Sequence, residues 1–286
     1  LNTQIIYENL QKVPAQKVHL EKTELAIEKD LAGLSRIPVR LNSLPQMVIF
    51  DTGANFSVIT DSLAIKAGIE IIGEPFEVEA ITGGKVASRI GIADSLQLGN
   101  SLLNNVVFLV FPEASLSFPE ANYTIDAILG FPVINALEEI MIIKGEKFLI
   151  AENNIKLQRS NLALDFLTPI IEVFEGPTSL PFTFDTGANS TALYQEYLAL
   201  RKEKILENGV LDSLRFGGAG GTITTPVYRT RFEGTIGNRS FQLDSAAVHL
   251  EDVRDYPGIY GNLGQDVLSQ FDTLVFDFKD MVFLLK

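Results

Sequence analysis

The 286-residue chain has no cysteine, no tryptophan and only two histidines, His19 and His249. Without cysteine there is no disulfide framework, thiolate metal site, iron–sulfur cluster or thiol nucleophile. Neither histidine stands in HExxH or any comparable ligand spacing, and no GxSxG turn occurs. No cofactor or metal site is therefore expected. No apolar run approaches the roughly 18 residues of a membrane helix. Basic residues are the minority, 23 Lys and Arg against 36 Asp and Glu, for a net charge of −13. Such a surface repels phosphate backbones and anionic lipid, which argues against a nucleic-acid or membrane partner. With 46% hydrophobic and 21% charged residues the composition is that of a globular protein with a real core. What it holds in quantity is carboxylate.

The sequence also repeats itself. Asp51-Thr52-Gly53-Ala54-Asn55 recurs as Asp185-Thr186-Gly187-Ala188-Asn189, an offset of 134. Gly130 and Gly264 each lie 79 residues after their aspartate and close apolar runs, Ala127-Ile128-Leu129 and Gly261-Asn262-Leu263. Upstream, Val48-Ile49-Phe50 matches Phe182-Thr183-Phe184, and downstream Ile140-Met141-Ile142 matches Leu274-Val275-Phe276. Leu98-Gly99-Asn100 matches Ile236-Gly237-Asn238 at an offset of 138, so the second copy carries about four extra residues before that point, placed most naturally in the glycine cluster 216–221. The pattern is that of a tandem duplication.

Short β-branched or aromatic runs bounded by Gly, Pro and Asn predict strands at Val48–Phe50, Val106–Phe111, Phe148–Ile150, Ile170–Phe174 and Leu274–Phe278. Short helices are expected at Asp61–Gly68, Pro132–Leu137, Leu193–Asn208 and Val267–Phe271. The expected organisation is an N-terminal extension (1–36), a first β-rich lobe (37–150), a linker (151–163) and a second lobe (164–286). Residues 1–36 have no counterpart in the second copy; the alternations Gln4–Tyr7 and Thr23–Glu28 could add edge strands.

An Asp-x-Gly after an apolar strand is often only a turn. Here each copy follows a strand too apolar to reach solvent, so each acid stands at the end of a buried strand. Burying a lone carboxylate is costly, and a near-symmetric partner offers an outlet. Two facing carboxylates cannot both ionise; they share one proton, and their titrations split. The ionised member can take a proton from a water between them while the protonated member donates to a carbonyl oxygen. That is general acid–base hydrolysis of an amide, without histidine, cysteine or metal.

With one Asp-Thr-Gly per half and a later hydrophobic-hydrophobic-Gly, residues 37–286 resemble an aspartic peptidase of the pepsin/retropepsin superfamily. The resemblance implies an all-β molecule of two double-psi-type β-barrel lobes related by a pseudo-twofold axis, and an aspartic endopeptidase with Asp51 and Asp185 catalytic. It implies that Thr52 and Thr186 lock the two loops together, with Gly53, Ala54, Gly187 and Ala188 completing them. Gly130 and Gly264 would pass behind the loops and support them; Asn262 departs from the apolar residue expected there. Ala54 and Ala188 stand where pepsin-like enzymes carry Ser or Thr and retropepsins carry Ala. Glycines about 33 residues after each aspartate, Gly83-Gly84 and Gly217-Gly218, would mark a substrate-covering flap on each lobe, as in retropepsins. The whole is similar to a retropepsin dimer fused into one chain, like bacterial members of that group, and so a monomer with an internal pseudo-dimer.

Further expectations follow. Lacking the hydroxyl at Ala54 and Ala188, the pair should work at mildly acidic to near-neutral pH. The partner would be a peptide or protein substrate lying extended under the flaps. The start at Leu1 without a leader reads as a piece of a longer protein, and an extracytoplasmic location is expected with its signal missing. A binding or scaffold module on the same fold is the alternative. His19 and His249 read as surface or packing residues, Glu251-Asp252 with Asp255 as solvated charge, and Thr82-Gly83-Gly84-Lys85 as no phosphate loop.

Overall fold

Alternating inward and outward side chains build most of the chain into strands, as along Ser35–Leu41, where Ile37, Val39 and Leu41 point into the core. The computed structural model describes residues 3–11, 13–80, 83–150, 160–251 and 257–286. It is mostly β-sheet, as expected, with short helices between strands. Among the described residues the main sheets contain nine, eight and five strands.

The nine- and eight-stranded sheets are wired alike. In the first, Leu44–Phe50 runs antiparallel to Ser35–Leu41 and parallel to Ala127–Leu129. Ala127–Leu129 lies antiparallel to Ser57–Thr60, which runs parallel to Ser101–Phe111. In the second, Thr178–Phe184 runs antiparallel to Thr168–Glu175 and parallel to Gly261–Leu263. Gly261–Leu263 lies antiparallel to Ala192–Leu193, which runs parallel to Arg239–His249. In each half, then, a short strand ending just before a glycine inserts between the strand that leads into the Asp-Thr-Gly loop and the strand that leaves it.

The five-stranded sheet joins the halves. Its order is Thr23–Ala26, Lys147–Ile150, Glu139–Ile143, Thr273–Asp277 and Val282–Leu285, with Ile140 opposite Phe276. The residues preceding the two aspartates pack their rings on it: Phe50 against Phe148 and Phe184 against Phe276, each with centroids 5.0 Å apart. Both loops are thereby anchored on one apolar floor.

Several expectations need correction. Gln4–Tyr7 is not a strand but part of a helix, Thr3–Leu10. Ile6 is fully buried on one face, and Gln4 Nε2 donates to Glu8 Oε1 one turn on, a helical spacing that the short alternation concealed. Thr23–Ala26 does form an edge strand, paired with Lys147–Ile150. The long helix expected over Leu193–Asn208 is a strand, Ala192–Leu193, followed by two short helices, Gln195–Leu200 and Lys202–Asn208. Arg201 breaks them apart; its guanidinium is held by Glu175 at 2.8 Å, and its backbone leaves the helical region. The other helices lie within three residues of expectation, at Asp61–Lys66, Phe131–Ala136 and Gln265–Leu268. Most of the expected linker, residues 151–159, lies outside the described residues, as do Thr82, Asp252 and Asp255. The strand Leu162–Asp165 crosses the expected start of the second lobe at 164.

Candidate active site

Each Asp-Thr-Gly loop begins where three consecutive buried side chains end, Val48-Ile49-Phe50 and Phe182-Thr183-Phe184. The inserted short strands hold both loops in equivalent ways. Asp51 N–H donates to Leu129 O, and Asp185 N–H to Leu263 O. Phe131 N–H donates to Ala54 O and Gln265 N–H to Ala188 O, both at 2.8 Å. Gly130 and Gly264 pass close behind the loops. A Cβ on Gly130 would meet the Phe56 carbonyl carbon at 2.3 Å, and one on Gly264 would meet that of Ser190 at 2.6 Å. The motif threonines then tie loop to loop. Thr52 N–H donates to Thr186 Oγ1 at 3.0 Å and Thr186 N–H to Thr52 Oγ1 at 3.1 Å. Their hydroxyls donate across to Phe184 O and Phe50 O. Four buried hydrogen bonds connect the two halves here, where stray motion would cost unpaired donors and acceptors.

The grip brings the two aspartates together. Their carboxyl groups lie side by side, close enough for Asp185 to act on Asp51 through charge and hydrogen bonding. One oxygen of each is taken by its own loop: Gly53 N–H donates to Asp51 Oδ1 and Gly187 N–H to Asp185 Oδ1, both at 2.8 Å. The glycines also make room for the opposite acid, since a Cβ on Gly53 would lie 2.4 Å from the Asp185 carboxyl and one on Gly187 would lie 2.5 Å from that of Asp51. Asp51 keeps some surface, yet the crowding around its carboxyl pushes its pKa well above the ordinary value. Loss of solvent is the main cause, followed by the charge and hydrogen bond of Asp185; the Gly53 and Ala54 amides oppose the shift.

A cleft of about 870 Å³ opens beside Asp185. Gly217 and Gly218, of the hairpin Val210–Gly218 and Gly221–Ile236, line it, together with Phe118, Tyr123 and Phe216. The tip of that hairpin reaches the other half, with Gly220 N–H donating to Ser115 O at 3.0 Å. Gly83 and Gly84 close a matching hairpin, Glu70–Glu79 with Lys85–Leu98, but do not line this cleft. That hairpin packs Phe76, Val78, Val86 and Ile90 around Ile6 of the N-terminal helix instead.

Three features escaped sequence reasoning. Ala32 and Leu34, from the segment without a counterpart, form part of the cleft wall, and Ala32 O accepts from Asn189 Nδ2 at 2.7 Å. His249 is buried and lines the cleft. Burial and the neighbouring Arg229 push its pKa down to about 4, so it is neutral near pH 7. His19, by contrast, is a surface residue beside Glu21. Finally, Asn262 Nδ2 lies 3.3 Å from Asp185 Oδ2 and donates to it. Its place in the apolar run before Leu263-Gly264 was the available signal.

Residues 37–133 match the aspartyl protease family model, and the match supports an aspartic peptidase of the retropepsin type. It covers the first Asp-Thr-Gly and its supporting glycine, and ends before the second. No curated protein matches the chain.

Proposed function

We infer that the segment 37–133, an aspartyl protease domain of the retropepsin type, works with the second half of the chain as one aspartic endopeptidase. The two halves are lobes of a tandem duplication about a pseudo-twofold axis, and Asp51 and Asp185 are the catalytic pair. The observation that carries this is the close approach of the two carboxyls, each against the other loop's glycine, at the meeting of two equivalently strapped loops. One shared proton makes the pair acid and base at once. The ionised carboxylate takes a proton from a water held between them, and that water's oxygen adds to the scissile carbonyl carbon. The protonated partner donates to the carbonyl oxygen. Collapse of the tetrahedral adduct breaks the C–N bond; the leaving nitrogen takes a proton from the pair while one hydroxyl of the adduct returns its proton to the other carboxylate, which releases a carboxylic acid and restores the singly protonated pair. No covalent enzyme intermediate forms.

The substrate would lie extended in the cleft beside Asp185, its main chain pairing with β edges and its side chains meeting Phe118, Tyr123 and Phe216. Hydrolysis of a mixed peptide library, with an optimum at mildly acidic to near-neutral pH, is the expected result. Asp51→Asn and Asp185→Asn should each lower kcat/KM by roughly 10²–10⁴-fold. Variants that cut as fast as the parent would remove the pair from the mechanism.

A further inference from the structure

Beneath the two aspartates the halves differ chemically. Ile49 faces Ile128 across the parallel pair of the first half, and at the same two places in the second half Thr183 faces Asn262. Both polar side chains are buried, 2% and 7% exposed. An apolar pair serves the same packing role in the other half, and buried hydroxyl and amide groups cost free energy unless satisfied. Their hydrogen bonds run in one direction. Thr183 Oγ1 donates to Asn262 Oδ1 at 2.7 Å, which turns the amide so that Nδ2 donates to Asp185 Oδ2 at 3.3 Å. With Gly187 N–H on Oδ1, Asp185 has a donor on each oxygen. Asp51 has the equivalent Gly53 N–H on Oδ1 and help from the Ala54 amide, but Ile128, at the place of Asn262, has no side-chain donor to offer.

We propose that Asn262, oriented by Thr183, is a positioning residue that decides where the shared proton sits, on Asp51, leaving the negative charge on Asp185. It rests on the acid–base pair proposed above and adds a direction to it, with Asp185 the base toward water and Asp51 the acid toward the carbonyl. A hydrogen bond from a neutral amide favours a carboxylate over a carboxylic acid. It supplies, on one side only, the donor that Ala54 and Ala188 lack. The charge acting on Asp51 is that of Asp185. Tyr123, Tyr194, Glu120, Arg215 and His249 line the adjoining cleft, with Arg215 paired to Glu120, and Asp266 behind the second loop is engaged by Thr191.

The test is Asn262→Leu, which keeps the branched skeleton and removes the donor. For whichever fluorogenic library peptide the parent cleaves fastest, the acid limb of kcat/KM against pH should move up by about one pH unit, a tenfold loss below the limb. Thr183→Val, which frees the amide to turn, should move the limb the same way by less, and serves if Asn262→Leu does not fold. A readout independent of turnover is the carboxyl ¹³C signal of each aspartate at mildly acidic pH, assigned with Asp51→Asn and Asp185→Asn. In the parent, Asp185 should read ionised and Asp51 protonated; in Asn262→Leu the two should converge. An unmoved limb with both Asp→Asn variants dead, or a parent in which Asp51 reads ionised, overturns the role of Asn262 while leaving the acid–base pair standing. Asp→Asn variants with full activity instead overturn the pair itself.

Discussion

At the scale of single residues, the two aspartates are forced into contact by the small groups around them. Gly53 and Gly187 leave room that any side chain would take from the opposite carboxyl, and Thr52 and Thr186 convert that closeness into a fixed geometry. The arrangement costs stability. Because the fold raises the pKa of Asp51 above the unfolded value of about 3.9, the stability linked to its proton is complete below that pH and is lost as pH rises through the folded value. Asp51→Asn removes this titration. The variant should match the parent near pH 3.5 and exceed it increasingly toward pH 7. The gain should be about 1.4 kcal/mol for each pH unit over which the folded parent keeps a proton that the unfolded chain has lost. Thermal unfolding at a series of pH values reads this directly; a constant difference across the series would show that Asp51 is not held protonated. Sequence alone identifies the acids and their loops, since motif residues act on neighbours a few positions away. The bond from Asn262 was not legible, because it spans 77 positions and depends on which side of a buried strand faces the acid.

Among the elements, the two glycine-tipped hairpins take unequal positions although the sequence marks them alike. The second reaches across to Ser115 and lines the cleft beside Asp185. The first carries an apolar face that the N-terminal helix covers, with Ile6 fully buried among Phe76, Val78, Val86 and Ile90. An exposed hairpin with such a face would lack order of its own, so the helix acts as its clamp. Ile6→Ala should cost about 2–5 kcal/mol, by lost burial and the cavity it leaves. Hydrogen exchange should rise first in Glu70–Glu79 and Lys85–Leu98 while the Asp-Thr-Gly loops stay protected. Exchange that rises equally everywhere would mean that helix and hairpin are not a separate local unit. The sequence pointed to hairpins because glycine turns between alternating runs are local signals. It missed the helix because four residues of alternation fit strand and helix equally well, and only the partner surface chooses.

For the molecule as a whole, the five-stranded sheet sets the two loops at a fixed spacing. Strands of both halves pair within it, and Phe50 and Phe184 stand on it immediately before each aspartate. In the proposed reading both acids come from one covalent chain, so the site needs no second copy. Specific activity should stay constant on dilution from micromolar to nanomolar concentration. A fall on dilution, with activity restored by concentrating, would mean that two chains are required.

The repeated motif, its supporting glycines and the alternating strands were determined by the sequence itself, because each is a matter of local backbone geometry or of side-chain period along a few residues. The tertiary structure alone decided that Ala32 and Leu34 wall the cleft, that one glycine-tipped hairpin lines it while the other is clamped, and that a buried threonine and asparagine stand beside one aspartate and not the other. Those outcomes depend on which surfaces meet after the sheets close. Contacts between residues more than a hundred positions apart, such as that of Asn189 with Ala32, leave no trace in the local pattern of either partner.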